Sequence, residues 1–194
     1  MKKMLFVILL LLAMPLSSVF ASEWTIDPDH SNAEFRISHL VISEVAGMFP
    51  TVNGTLTLDD HNVTASVINV TVDVASLNTG VAKRDAHLLS GDFFDVANYP
   101  TMTFASTKIE KNDRGLILYG TLTIRGHSQP AVFIVSGPST PIKDPWGFTR
   151  MGAAATTTIN RKDFGMVWNQ TLDNGGAMIG EEVTLQIDLE LIRQ

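Results

Sequence analysis

A single antiparallel β sandwich or barrel is the fold class that this 194-residue sequence predicts, and three observations carry it. Apolar and polar residues alternate with period two from Trp24 onward, the spacing of strands that bury one face. The alternating stretches are separated by short connections rich in turn residues, with no long linker and no internal repeat. Each stretch pairs one apolar face with one polar face, as antiparallel strands around one core do.

In chain order, the first element is an address. Lys2 and Lys3, the apolar run Met4–Met14, the Pro15 break and then Val19-Phe20-Ala21 form the three-part pattern of a secretory signal peptide, with cleavage after Ala21. The run is shorter than the roughly 20 residues a membrane-spanning helix needs. Residues 1–21 are therefore read as a signal peptide and residues 22–194 as one exported, soluble domain. Removing the segment takes away much of the surplus behind the 45% hydrophobic composition.

Four strong strand faces follow: Ala33, Phe35, Ile37, His39 and Val41; Ile68, Val70, Val72 and Val74; Leu116, Leu118, Leu122 and Ile124; and Val183, Leu185, Ile187, Leu189 and Leu191. Gly120 interrupts the third and permits a bend or bulge. Shorter strands are expected at Gly54–Leu58, Met102–Ser106, Val132–Val135 and Gly152–Ile159, giving eight or more in all. Turns are expected at 59–62, 111–115, Gly126-His127 and Asn174-Gly175-Gly176. One short helix is expected over Val81–Leu89, with Asn78-Thr79 as caps and Gly91 as its stop, and a second helical turn near Arg161–Phe164.

An eight-stranded closed sheet is either filled by its own side chains or has room for one small ligand, and the pattern alone does not separate these outcomes. Large apolar residues cluster at Met48-Phe49, at Phe93-Phe94, and at Phe164 with Met166 and Trp168; such side chains suit a core or an adaptable apolar pocket.

Composition excludes several chemistries. With no Cys there are no disulfides, thiolate metal sites or cysteine nucleophiles. A formal charge of -6 argues against non-specific nucleic-acid binding. The five histidines form no His-x-His or His-Glu-x-x-His pair, so no metal site is expected. No nucleophile elbow, P-loop or dinucleotide fingerprint occurs. His39 continues an apolar face and should point inward, toward either a backbone partner or a ligand. Arg84 beside Asp85, and Arg161 and Lys162 beside Asp163, could receive an anionic or polar head group or could form loop-pinning ion pairs.

Four ordered stretches, "WTIDPDHSNAEFRISHLVISEVAGMF" (Trp24–Phe49), "KRDAHLLSGDFFDVANYPTMTFAS" (Lys83–Ser106), "GTLTIRGHSQPAVF" (Gly120–Phe133) and "INRKDFGMVW" (Ile159–Trp168), together resemble the YceI-like family of bacterial polyisoprenoid-binding proteins. The resemblance covers essentially the whole mature chain. It implies an eight-stranded antiparallel lipocalin-like barrel with one or two short helices, a periplasmic location, and a tunnel holding an isoprenoid or similar long-chain lipid, such as a quinone or polyprenyl phosphate. The expected ligand-contacting residues are Phe35, Ile37, His39, Phe49, Arg84, Phe93, Phe94, Phe104, Arg161, Phe164, Met166 and Trp168, with His39, Arg84 and Arg161 at the polar end. Carriage without catalysis is expected, with no cofactor besides the lipid, no membrane-spanning segment, and a possible homodimer. Two alternatives stay open: a stress-related interaction protein with a filled barrel, and an enzyme acting on a prenyl head group through Asp85 or Asp163 with a histidine.

Overall fold

The computed structural model describes residues 21–113, 115–173 and 175–194. Residues 1–20 of the expected signal peptide, and Arg114 and Asn174 of two expected turns, lie outside them. Eleven strands are present among the described residues: β1 (Ala21–Ile26), β2 (Asn32–His39), β3 (Ser43–Phe49), β4 (Val52–Asp59), β5 (Val67–Asp73), β6 (Thr101–Asn112), β7 (Gly115–Ile124), β8 (His127–Ser136), β9 (Ile142–Lys143), β10 (Thr149–Asn160) and β11 (Ile179–Arg193), with one helix, α1 (Ala82–Leu89). Every pairing is antiparallel, in the order β3-β2-β11-β1-β4-β5-β6-β7-β8-β10-β9. The additional pairing of β10 with β11 closes eight of these strands into a barrel.

The long strand β11 makes this closure. One edge runs along β10 from Glu182 to Ile192. The other is shared: Ile179 to Asp188 pair with β2, and Leu191 to Arg193 pair with β1. β1 and β2 are thus two halves of one ribbon, broken by the 3-10 turn Pro28–His30, and β3 and β4 are likewise broken at Pro50-Thr51. Proline lacks the N–H that a continuous ladder would require, so both breaks fall where the sequence permits them.

Strand assignments from alternation hold, with local corrections. Val41 does not extend the face of β2. Leu40 and Val41 take left-handed φ values of 55° and 62° in the β2–β3 turn, and Val41 is exposed. The expected bulge lies not in β7 but on its partner β6, between Ser106 and Lys108, opposite Gly120. Gly120 serves another purpose: a Cβ there would stand 2.3 Å from the Phe104 ring, so its missing side chain lets that ring lie across the sheet. Asn78 and Thr79 do not cap α1, whose N-cap is Val81 with no side-chain hydrogen bond. Asp85 instead accepts from the Thr79 N–H and hydroxyl, fastening the entry loop to the first turn of the helix. The Arg161–Phe164 turn forms as expected, with the Asn160 side chain accepting the Lys162 N–H.

A buried ion cluster anchors the ribbon break between β1 and β2. Arg150 on β10 donates to Asp27, to Asp144 at 2.6 Å and to Glu190 at 2.6 Å, tying the break to β10 and β11. Burial opposes ionisation of Asp27, but hydrogen bonds from Arg150, His30 and the Asp29 N–H outweigh it and hold the carboxyl at about 2 rather than 3.8. A carboxyl depressed in the folded state contributes stability that is present above its unfolded value and lost as pH falls through its folded value. The stability of wild type, measured by chemical denaturation, should therefore fall as pH drops from 4 to 2, and Asp27→Asn should flatten that acid limb while lowering stability at pH 7; parallel limbs in the two proteins would contradict the assignment.

Candidate functional site

The barrel is hollow. A cavity of about 370 Å³ lies inside it, within the usual size range of small-molecule sites. A smaller space of about 70 Å³ adjoins it, with Ile68, Leu118, Val135, Ala153 and Leu189 belonging to both walls. Of the two interiors left open by the strand pattern, the structure takes the one with room for a ligand.

The reason is local. Inward positions of β11 carry large aliphatic residues, Val183, Leu185, Ile187 and Leu189, but the cross-strand neighbours of Leu189 and Ile187 on β10 are Ala153 and Ala155. Two alanines where a filled barrel would place branched side chains leave space that no other side chain fills. Val183 and Leu185, with Ile68 and Val70 of β5, line this space and are only half-buried, while Trp24, Val52, Val74 and Leu191 are fully packed.

Aromatic residues form one stretch of the wall. Phe35 lies 5.9 Å from Phe49, and Phe49 packs edge-on against Phe94 at 5.4 Å. Phe104 meets Phe133 at 5.1 Å. The His87 ring stands edge-on to both Phe93 and Trp168, at 5.0 and 4.8 Å, and Asp92 holds its Nε2 at 3.0 Å. These contacts fix α1 and the segment after it against the 161–168 segment. Gly47 permits the Phe35 arrangement, since a Cβ there would fall 2.5 Å from that ring.

Of the expected site residues, Phe35, Ile37, His39, Phe49, Arg84, Phe93, Phe94, Phe104, Arg161, Met166 and Trp168 all line the cavity. Phe164 is not among them: it is 2% exposed, the last residue of the 3-10 turn after β10, and packs in the buried core. His87, Val45, Leu118, Phe133 and Met178 line the wall without having been singled out, as do the two alanines. The Gly152–Ala155 run was their signal, a row of small residues in a strand flanked by bulky partners.

Neither arginine makes the ion pair that was weighed for it. Arg84 donates through Nε to the Thr79 hydroxyl and through Nη2 to the Thr79 carbonyl, both at 2.8 Å. Arg161, 2% exposed, donates to the carbonyls of Gly180 and Met166. Burial pushes its guanidinium below the ordinary arginine value, offset in part by the field of Glu181. Among the described residues the His39 ring makes no hydrogen bond, and neither the Asp85 nor the Asp163 carboxylate meets a histidine. Among the described residues the one group with the makings of a metal site, Asp27, His30 and Glu190, has its two carboxylates bridged by the Arg150 guanidinium, which stands where a cation would. No helix of the described residues is long and apolar enough to cross a membrane.

A closed antiparallel barrel around an apolar cavity, with polar groups confined to part of its wall, defines a class of small-molecule-binding barrels. Residues 24–191 match the YceI-like domain model, and the chain belongs to that family. It is 39% identical over 183 residues to a UPF0312 protein of Enterobacter sp. (strain 638), covering 91% of this chain and 90% of that protein. It is 38% identical over 179 residues to Protein YceI of Salmonella newport, with 91% and 90% coverage. The crystal structure of the Campylobacter jejuni YCEI protein superposes with a TM-score of 0.66 at 31% identity, covering 81% of this chain and 90% of that one. A polyisoprenoid binding domain from Saccharophagus degradans shares the fold at a TM-score of 0.63 and 15% identity, with 88% and 98% coverage.

Phe164→Ala should lower unfolding free energy by about 3–5 kcal/mol, as for a large aromatic removed from packed core, while the folded fraction keeps its cavity. Urea denaturation measures the first; a cost below 1 kcal/mol would mean that Phe164 faces the lumen after all.

Proposed function

We propose that the protein is a non-catalytic periplasmic carrier of a polyisoprenoid or similar long-chain amphiphile. The observation that carries this reading is the cavity itself, lined by branched aliphatic and aromatic side chains and kept open by the alanines of β10. An isoprenoid tail gains about 0.8 kcal/mol per CH2 removed from water, so an apolar lumen holds it without a dedicated polar partner for each carbon. Cavity length and the few polar wall groups then provide selectivity. The Saccharophagus degradans domain is described as polyisoprenoid binding, which agrees in ligand class. Family membership and the signal-like segment of residues 1–21 support export to the periplasm. Catalysis has less support, since Asp85 is spent on Thr79 and Asp163 stands exposed without a histidine partner.

Filling the lumen tests the proposal directly. Ala155→Trp should leave the β-sheet spectrum and stability of the ligand-free protein near wild type while abolishing uptake of geranylgeraniol, followed by the fluorescence of the wall residue Trp168. Uptake undiminished in a folded Ala155→Trp protein, or none by wild type, would defeat it. Expression of the full chain in a Gram-negative host should place the protein in the osmotic-shock fraction with Ser22 at its amino terminus; retention in the cytoplasm with Met1 intact would refute export.

A further inference from the structure

Resting on the lipid-carrier reading, the geometry points to the charge of the ligand's head group. We infer that the cavity takes amphiphiles whose head is an anion, phosphate or carboxylate, received by Arg161 and Arg84.

Arg161 is the unusual group. Its guanidinium is buried at the wall of an apolar cavity, with Nε and Nη1 spent on the carbonyls of Gly180 and Met166. Its Nη2 is buried and has no hydrogen-bond partner. The nearby carboxylate of Glu181 is paired with Lys162, and no carboxylate of the described residues lies within ion-pair distance of Arg161. A buried polar group is normally satisfied, and a buried charge is normally paired. Here both requirements are open at once. A neutral carbonyl, such as that of a quinone, would fill the unused donor but leave the charge uncompensated; an anionic oxygen answers both.

Arg84 repeats the pattern on α1. Nε and Nη2 are fixed by Thr79, while Nη1 makes no hydrogen bond to the described residues. Its helix reaches the 161–168 segment through the His87–Trp168 contact, so both cations belong to one end of the barrel. The lining carries two arginines and two histidines, His39 and His87, against a single acidic residue, Glu34. Glu34 occupies the phase of β2 opposite to Phe35, Ile37 and His39, cross-strand from Met48 and Gln186. Met166 and Met178, both on the wall, are the flexible side chains that yield as a head group settles onto the guanidinium. In a chain of net charge -6, this local excess of cations serves no long-range attraction and is legible only as a short-range contact.

The test uses two ligands with one tail, geranylgeranyl phosphate and geranylgeraniol, titrated into the intact protein by Trp168 fluorescence, with inorganic phosphate as a third probe. Wild type should bind the phosphate about tenfold or more tightly than the alcohol, and inorganic phosphate should displace neither. Arg161→Met should lose that preference while still binding geranylgeraniol, and Arg161→Lys should retain part of it. Arg84→Met, on a surface helix, should weaken the preference even if Arg161→Met proves unable to fold. Equal affinity of wild type for the two ligands would overturn the anionic head while leaving the carrier intact; failure of both ligands would overturn the carrier as well. A preference that survives in both folded arginine variants would overturn the assignment to these residues.

Discussion

Closure of the sheet through β11 is the constraint on which everything else depends. This strand hydrogen-bonds to β10 along one edge and to two successive strands, β2 and β1, along the other. Without it the sheet would have two long unpaired edges and its apolar face would lie open to water. Once closed, the inward residues of eight strands define a lumen, and the content of that lumen is a matter of side-chain volume alone. The ribbon break at Asp27–Ser31 lets one polypeptide segment pair with two successive stretches of β11. The Asp27–Arg150–Glu190 cluster stands at that break, holding the chain where it changes course.

The lumen is hollow for an economical reason. Alanine at two inward positions of β10 removes bulk opposite the aliphatics of β11, and glycines at 47 and 120 let the Phe35 and Phe104 rings lie flat against the wall. The polar groups are gathered where α1, its following loop and the 161–168 segment meet. Apart from Glu34, His39 and Thr103, the rest of the wall is aliphatic and aromatic. Such a division resembles that of an amphiphile, one short polar end and a long apolar body, and it makes orientation of the guest a property of the container.

Alternation made most of the barrel legible in the sequence, because strands with one face on a core must repeat every two residues. It gave β2, β5, β7 and β11 nearly to their ends. β3 escaped notice because Ser43, Glu44, Ala46 and Gly47 leave no clear apolar face; that strand exists through its partner β2. Val41 broke from its pattern because a turn geometry took precedence over periodicity. The helix was placed correctly, but its entry is held by Asp85 reaching back to Thr79, a tertiary-like contact with no cap signature. For the site, the family resemblance supplied aromatic and basic positions, and nearly all stand on the cavity wall. Phe164 lies only two residues from Met166, yet the first is packed in the core and the second lines the cavity, a difference across the end of one short turn that the sequence pattern does not resolve. The alanines were visible in the sequence, yet small residues announce a space only when their cross-strand neighbours are known.

One feature of the hollow barrel reaches beyond binding. Empty volume inside a folded protein vanishes when the chain unfolds and water enters, so hydrostatic pressure acts against the folded state in proportion to the void it contains. The compressibility of this barrel is therefore set by what occupies its lumen of about 370 Å³. Whatever fills that space acts as part of the core, and forms of the protein that differ in its filling are materials of different compressibility built from one chain.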